Sequence, residues 1–390
     1  MKNKNKKNSN FPNLRFPGFE DEWEEKKLGE VAEIQMCKRI FANQTSEKGE
    51  IPFYKIGTLG NTPDTFISRS LFDNYKEMYN YPVKGEVLIT CAGTIGKCVV
   101  FDGNDSYFQD SNIVWISNSE TVIKNKFIYH ILSNTNWSKL NSTTITRIYN
   151  DNLRSLYILY PTKIEQEKVT LFLSLIDERI LTQIKIIEEW ENYMRGIREA
   201  IFSQKIRFKD KDGSNFPEWK EKKVGDIFEV TRGNVLAINL LSSEKSQEKP
   251  YPVYSSQTKN KGLAGYHNDF LFQNAITWTT DGANAGDVNY REGKFYCTNV
   301  CGVLLNTEGY ANICISELIN SVSKKYVSYV GNPKLMNGVM SKIKILFPSL
   351  EEQTKIALFF SSIKNKLEME SQLLIEYQDQ KKYFLQNLFI

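Results

Sequence analysis

Two stretches decide how this chain is built: FEDEWEEKKLGEVAEI at Phe19–Ile34 and NFPEWKEKKVGDIFEV at Asn215–Val230. Trp23 matches Trp219, Lys26-Lys27 matches Lys222-Lys223, and Leu28-Gly29-Glu30-Val31 matches Val224-Gly225-Asp226-Ile227, all at an offset of 196. A second pair closes the repeat: PTKIEQEKV from Pro161 and PSLEEQTKI from Pro348, at an offset of 187. The 390 residues are therefore two copies of one unit of roughly 190. Solenoid repeats run about 20–50 residues, so each copy here is a domain able to close its own core. Between the matched ends the copies diverge, as expected of one scaffold that carries two different surfaces.

Outward from the second motif the hydrophobic period changes. Leu173, Ile180, Ile187, Met194 and Ile201 are seven apart, and Val169, Ile176, Gln183, Trp190 and Ile197 form a second such series. The other copy repeats the pattern with Phe360, Leu367, Leu374, Lys381 and Leu388, and with Ile356, Ile363, Glu370, Tyr377 and Phe384. Two a/d series over about 40 residues predict a helical rod of about 60 Å at ~1.5 Å per residue. Gln183 aligns with Glu370, and polar residues at a/d positions set register. Two similar units in one chain can sit about a pseudo-two-fold axis, so the rods are expected to pair antiparallel, with Gln183 meeting Glu370. The fold class expected is α+β: two tandem β-rich heads, each followed by a long α-helix, the helices pairing as an antiparallel coiled coil. The boundaries are a disordered basic tail at 1–10, a head at 11–160, a rod at 161–205, a head at 206–347 and a rod at 348–390.

Charge is not concentrated in the rods. Residues 161–205 carry seven Lys/Arg against eight Asp/Glu, and residues 348–390 carry five against six. The whole chain is only +4, and Lys2, Lys4, Lys6 and Lys7 of the tail hold much of that. The rods thus read as spacers and protein-binding surfaces. No apolar run nears the ~18 residues of a membrane span, and no apolar stretch follows the tail lysines as in a secretory signal. Six Cys without metal-type spacing and two His, His130 and His267, fit buried free thiols in a reducing cytoplasm.

Within the heads the sequence reads as short strands and polar turns with few clear helices, the flanking pieces at 125–140 and 312–330 excepted. Glu86–Thr90 runs into the turn Gly93-Thr94-Ile95-Gly96-Lys97 and then Cys98–Phe101. Its counterpart is Ala275–Thr280, with Gly282-Ala283-Asn284-Ala285-Gly286 as the turn. Such turns offer side chains suited to base edges: Asn and Gln for adenine, Lys and Arg for guanine, Ser and Thr for several groups. The first head's candidates are Lys38, Arg39, Thr94, Lys97, Gln109, Ser111, Asn112, Arg147 and Tyr149. The second head's are Arg232, Asn234, Ser255, Ser256, Gln257, Asn284, Thr298 and Asn299. Any one of them also reads as an ordinary solvated turn residue; the set carries the argument.

Catalytic motifs fail on inspection. Gly93–Lys97 lacks the G-x-x-x-x-G-K-[ST] spacing, because Cys91 stands five before Gly96 and Cys98 follows Lys97. No G-x-G-x-x-G follows a strand, and two His leave little for a triad. No catalytic residue and no metal ligand is assigned.

Taken together, the opening motifs (Trp23 to Val31, Trp219 to Ile227), the Gly93–Lys97 turn with Phe108–Asn112, and the two P-x-x-x-E-Q segments make the chain resemble the specificity subunit of a Type I restriction-modification system. The resemblance covers almost everything beyond the tail. It implies two target-recognition domains, each reading one half of an asymmetric, bipartite site on double-stranded DNA. It also implies helices that act as a ruler and dock two methyltransferase subunits. S-adenosylmethionine, ATP and Mg are then expected on the partners, with restriction subunits completing the complex and no cofactor in this chain. One departure is that the second head lacks the Gly-Thr-Ile-Gly-Lys turn, which sets Lys97 apart. A self-contained endonuclease or methyltransferase with two DNA-binding heads is the alternative, and a coiled-coil protein with protein-binding heads a third reading. The modest charge predicts weak, salt-sensitive DNA binding by the isolated chain.

Overall fold

The computed structural model describes residues 10–137, 147–256 and 260–390. The lysines of the tail and Gln257 lie outside the described residues. The chain forms two compact units, one of residues 1–182 with 374–390 and one of residues 183–373. The linear boundaries read from the sequence are therefore crossed: each unit takes part of both rods.

The first unit is built in chain order from β1 (Glu24–Lys27), α1 (Leu28–Val31), β2 (Glu33–Gln35), β3 (Ile51–Tyr54), β4 (Phe66–Ile67), α2 (Arg69–Met78), β5 (Val87–Thr90), β6 (Cys98–Val100), β7 (Tyr107–Phe108), β8 (Ile113–Ser117), α3 (Asn125–Asn134), α4 (Asn150–Arg154) and β9 (Tyr157–Tyr160). The first rod, α5, spans Lys163–Phe202. A four-stranded sheet runs β2-β8-β5-β6, a three-stranded sheet runs β4-β3-β7, and β1 pairs with β9. Helix α2 was not expected from the sequence; only its Phe72 is fully buried, so its apolar face is narrow. Its start is fixed by Ser68, whose hydroxyl accepts the Leu71 N–H.

The second unit continues with β10 (Lys220–Lys223), α6 (Val224–Ile227), β11 (Glu229–Arg232), β12 (Tyr251–Tyr254), β13 (Leu263–His267), β14 (Phe272–Thr279), β15 (Val288–Cys297), β16 (Cys301–Leu305), α7 (Ile313–Ser323), α8 (Asn337–Met340), β17 (Lys344–Phe347) and the second rod, α9 (Leu350–Asn387). Here one six-stranded sheet runs β11-β16-β14-β15-β12-β13. The reason lies in β15. Its ten residues span the place where head 1 breaks into β6, the turn at Asp102–Asp105 and β7. Both heads close on a parallel pair, β3 with β7 and β12 with β15.

None of the heptad residues of either rod is exposed, whereas Leu171, Leu175, Leu181, Leu358 and Met369 between them are. In the first unit the Phe172 ring packs 4.8 Å from Phe384 and 5.6 Å from Phe16, and Asp177 pairs with Lys381. In the second, Gln183 Nε2 donates to the Glu370 carboxylate at 2.5 Å and to its carbonyl at 3.0 Å. Rising numbers on α5 meet falling numbers on α9, so the helices run antiparallel within each unit. Lys366 and Gln183 hold the Glu370 carboxyl below its usual range.

The rod ends close the heads. Leu388 and Phe389 enter the core around Trp23, Phe127 and Leu173; Met194 and Ile201 enter the core around Trp219, Phe228 and Phe360. A strap precedes each opening motif. Leu14 N–H donates to the Asn387 carbonyl at 2.9 Å, and Ile206 N–H donates to the Ala200 carbonyl at 3.1 Å. Arg15 then meets the buried Glu165 at 2.8 Å, and Arg207 meets the buried Glu352 at 3.0 Å. Gln166 and Gln353 each donate back to the proline carbonyl that opens the motif, at 2.8 and 2.9 Å. The P-x-x-x-E-Q residues thus lock strap, head and rod together. No helix among the described residues is long and apolar enough to cross a membrane.

Candidate nucleic-acid interface

In head 1 the hairpin β5–β6 carries the turn that the sequence singled out. Gly96 N–H donates to Thr90 O at 2.9 Å and Thr90 N–H to Lys97 O at 3.0 Å. Gly96 sits at φ +80°, and a Cβ there would lie 2.1 Å from the Trp137 ring. Thr90 Oγ1 donates to the Thr94 carbonyl, leaving the Thr94 side chain exposed. Beside this turn stands the segment between β7 and β8. Cys91 N–H donates to Asn112 O at 2.8 Å, and Gln109 N–H donates to Tyr54 O at 2.9 Å. Arg147 joins the two by bridging to Ala92 and donating to Ser111 O at 2.8 Å, with its guanidinium 6.0 Å from the exposed Tyr149 ring. Arg39 reaches the same segment through Asp110 at 3.6 Å. Thr94, Lys97, Gln109, Ser111, Asn112, Arg147, Tyr149 and Arg39 therefore form one rim. Lys38 stands apart from it, its ammonium 5.2 Å from the Tyr79 ring.

Head 2 repeats the rim in backbone but not in side chains. Gly286 N–H donates to Thr279 O, and Thr279 N–H to Asp287 O at 3.0 Å. Asp287 therefore stands where head 1 has Lys97, and it pairs with Lys324 at 2.9 Å. Thr298 N–H donates to Tyr254 O, so Thr298 takes the place of Gln109. Thr298 Oγ1 and Ser255 Oγ are 3.1 Å apart, bringing these two candidates together. Asn299 and Asn234 are exposed beside them, because Asn234 N–H donates to Cys297 O at 3.1 Å. Asn284 lines a cavity of about 50 Å³ with Ser255 and Arg291. Arg232 is exposed at the end of β11, and Ser256 is half-buried next to Ser255.

Two residues of this surface escaped the sequence reading. Lys334 bridges to Asp281 as Arg147 bridges to Ala92, so each head has a basic residue at this place. Arg291 is buried on β15, 3.7 Å from the Tyr254 ring, and donates to Thr277 Oγ1 at 3.0 Å and to the Lys261 carbonyl at 2.7 Å. Burial lowers its pKa, and its bond to the Lys261 carbonyl holds the backbone just before β13 against β15. No local pattern marks either residue, since both pairings depend on distant strands. The thiols are core groups: burial pushes Cys91 and Cys301 up to about 11, Cys37 and Cys98 up to about 12, and raises Cys297 and Cys314 as well.

The chain matches the family model of the Type I restriction modification DNA specificity domain twice, over residues 20–191 and 217–377. A Haemophilus influenzae protein bearing the name of a type I restriction enzyme specificity subunit is 52% identical over 175 residues, covering 45% of this chain and 42% of that protein. The chain thus spans less than half the length of that relative. The specificity subunit of the Type I restriction enzyme MpnII, from Mycoplasma pneumoniae, is 37% identical over 148 residues, covering 37% of this chain and 43% of that protein. Among solved structures, the Type-I restriction-modification system S subunit from M. genitalium shares the fold with a TM-score of 0.62 at 18% identity, over 97% of this chain and 99% of that one. Two matched domains, in the positions of the two heads and the helices that follow them, place this chain in the Type I restriction-modification DNA specificity family.

Proposed function

We propose that this chain is the specificity subunit of a Type I restriction-modification complex and that each rim reads one half of a bipartite DNA site. The observation that carries this reading is the pair of rims with shared backbone hydrogen bonding and unshared side chains: Lys97 against Asp287, Gln109 against Thr298. One scaffold with two side-chain sets suits an asymmetric target. The paired rods act as the spacer between half-sites and as docking surfaces for two methyltransferase subunits. S-adenosylmethionine, and ATP with Mg on restriction subunits, belong to those partners, and this chain contributes recognition without catalysis. With rods of slightly negative charge, phosphate affinity comes largely from the assembled complex.

Methylome sequencing of cells with and without the gene tests the reading. Loss of one bipartite, asymmetric methylation motif in the deletion strain is the expected result. An unchanged methylome in a strain that expresses the whole complex, or methylation by the purified chain alone, overturns it.

A further inference from the structure

At the same place in each head a loop holds apolar side chains in solvent. In head 1, Met36 is 44% and Phe41 58% exposed; in head 2, Val235 is 78%, Ile238 86% and Leu240 48% exposed. Single exposed aliphatic residues are ordinary on any surface, but three within six residues form a patch that asks for an occupant. The two loops are counterparts. They follow β2 and β11, carry short helical turns at Ala42–Gln44 and Ile238–Leu240, and end on matching bridges, Ser46 to Phe66 and Ser242 to Tyr266.

These loops are also the margins of the rims. In head 2, Gly233 N–H donates to Cys301 O at 3.0 Å, on the strand that follows Thr298 and Asn299. A Cβ at Gly233 would lie 2.1 Å from the Cys297 carbonyl oxygen, so glycine is what lets the loop approach this closely. In head 1 the Arg39–Asp110 pair ties the loop to the Gln109–Asn112 segment.

The occupant follows from comparing the heads. A protein partner present in two copies would meet the same residues on both, as the shared Trp and Glu-Gln positions show such sharing is possible on this scaffold. The loops share backbone and position but not side chains: Lys38-Arg39-Ile40-Phe41 stands where Asn234-Val235-Leu236-Ala237 stands. That pattern fits an occupant that differs from head to head, as two unlike half-sites do. The apolar feature a duplex displays in its major groove is the thymine C5-methyl group. We propose that Val235 and Ile238 of head 2, and Phe41 of head 1, are specificity-determining residues that read thymine methyl groups by apolar contact. The inference rests on the reading that the heads bind DNA.

The test uses the full chain assembled with its methyltransferase partners and the target found by methylome sequencing. Competition binding is measured on duplexes in which each thymine of the target is replaced singly by uracil, which removes only the methyl group. For the native chain, at least one replacement in the second half-site weakens binding about fivefold or more. In Val235→Ser/Ile238→Ser that penalty disappears, the penalties in the first half-site stay, and the salt dependence is unchanged. Phe41→Ser shows the reverse pattern, and Ile238→Leu keeps the native penalty. Identical uracil penalties in native and serine variants overturn the inference, and so does loss of methyltransferase association in the serine variants, which assigns the loops to protein docking. If the native complex has no bipartite target, the proposed function itself fails, a result distinct from either.

Discussion

Glu352 is buried and receives two donors, the Trp219 indole N–H at 2.8 Å and Arg207 at 3.0 Å. Among the described residues Glu165 receives only Arg15, and the buried Trp23 indole N–H has no partner. Replacing Glu352 by Gln strips a buried charge from Arg207 and is expected to destabilise the second unit by about 3 kcal/mol, measured by urea unfolding. Trp219→Phe removes a hydrogen bond to a carboxylate and Trp23→Phe removes none. The first is therefore expected to cost about 1–2 kcal/mol more than the second, resolved unit by unit through hydrogen exchange. His130 gives a pH dependence. Burial, and after it Lys381, lowers its pKa to about 4, with Lys126 acting the same way and Asp177 opposing. The unfolded chain binds that proton near the ordinary value of about 6.5, so the first unit loses stability as pH falls from 6.5 toward 4. His130→Gln is expected to flatten that part of the unfolding-versus-pH curve. The Glu-Gln motif was visible as a repeat in the sequence, but its task was not: Arg15 and Arg207 lie 150 and 145 residues away from their partners.

Helices and strands were legible to different degrees. The rods were readable because a heptad is a local pattern, and the Gln183–Glu370 meeting was readable because both copies place a polar residue at the same register. Glu370 also holds Lys366 at 2.6 Å, so this polar layer contains a charge balance that the period alone does not reveal. Replacing both Gln183 and Glu370 by Leu is expected to raise the melting temperature while relaxing register. Disulfide trapping between cysteines placed one heptad apart would show pairing in more than one alignment; a single alignment would mean the layer does not set register. Sheet order was the least legible level. The parallel pairs Phe53–Tyr107 and Val253–Tyr296 join strands far apart in sequence, and the split of head 1 into two sheets depends on whether the chain turns at Gly103 or continues as in β15.

At the scale of the whole molecule, the duplication was legible from two short motifs, while the sharing of each rod between two units was not, because it depends on where the rod ends are buried. Each unit carries its own rim, so replacing residues 11–160 by the same segment of a related chain is expected to change one half of the methylation motif and leave the other. Inserting seven residues into both rods is expected to change the spacer alone, and altered half-sites would refute the ruler. The straps lead further. Asn387 receives Leu14 as Ala200 receives Ile206, so the backbone arrives at the first head from the end of α9 just as it arrives at the second from the end of α5. Within the first unit, a covalent link from the end of α9 to the first strap would have the same short gap to cross that the chain itself crosses between α5 and the second strap. A circularly permuted gene, starting at Lys205 and joining residue 390 to residue 10 through a short Gly/Ser linker, should yield the same methylation motif.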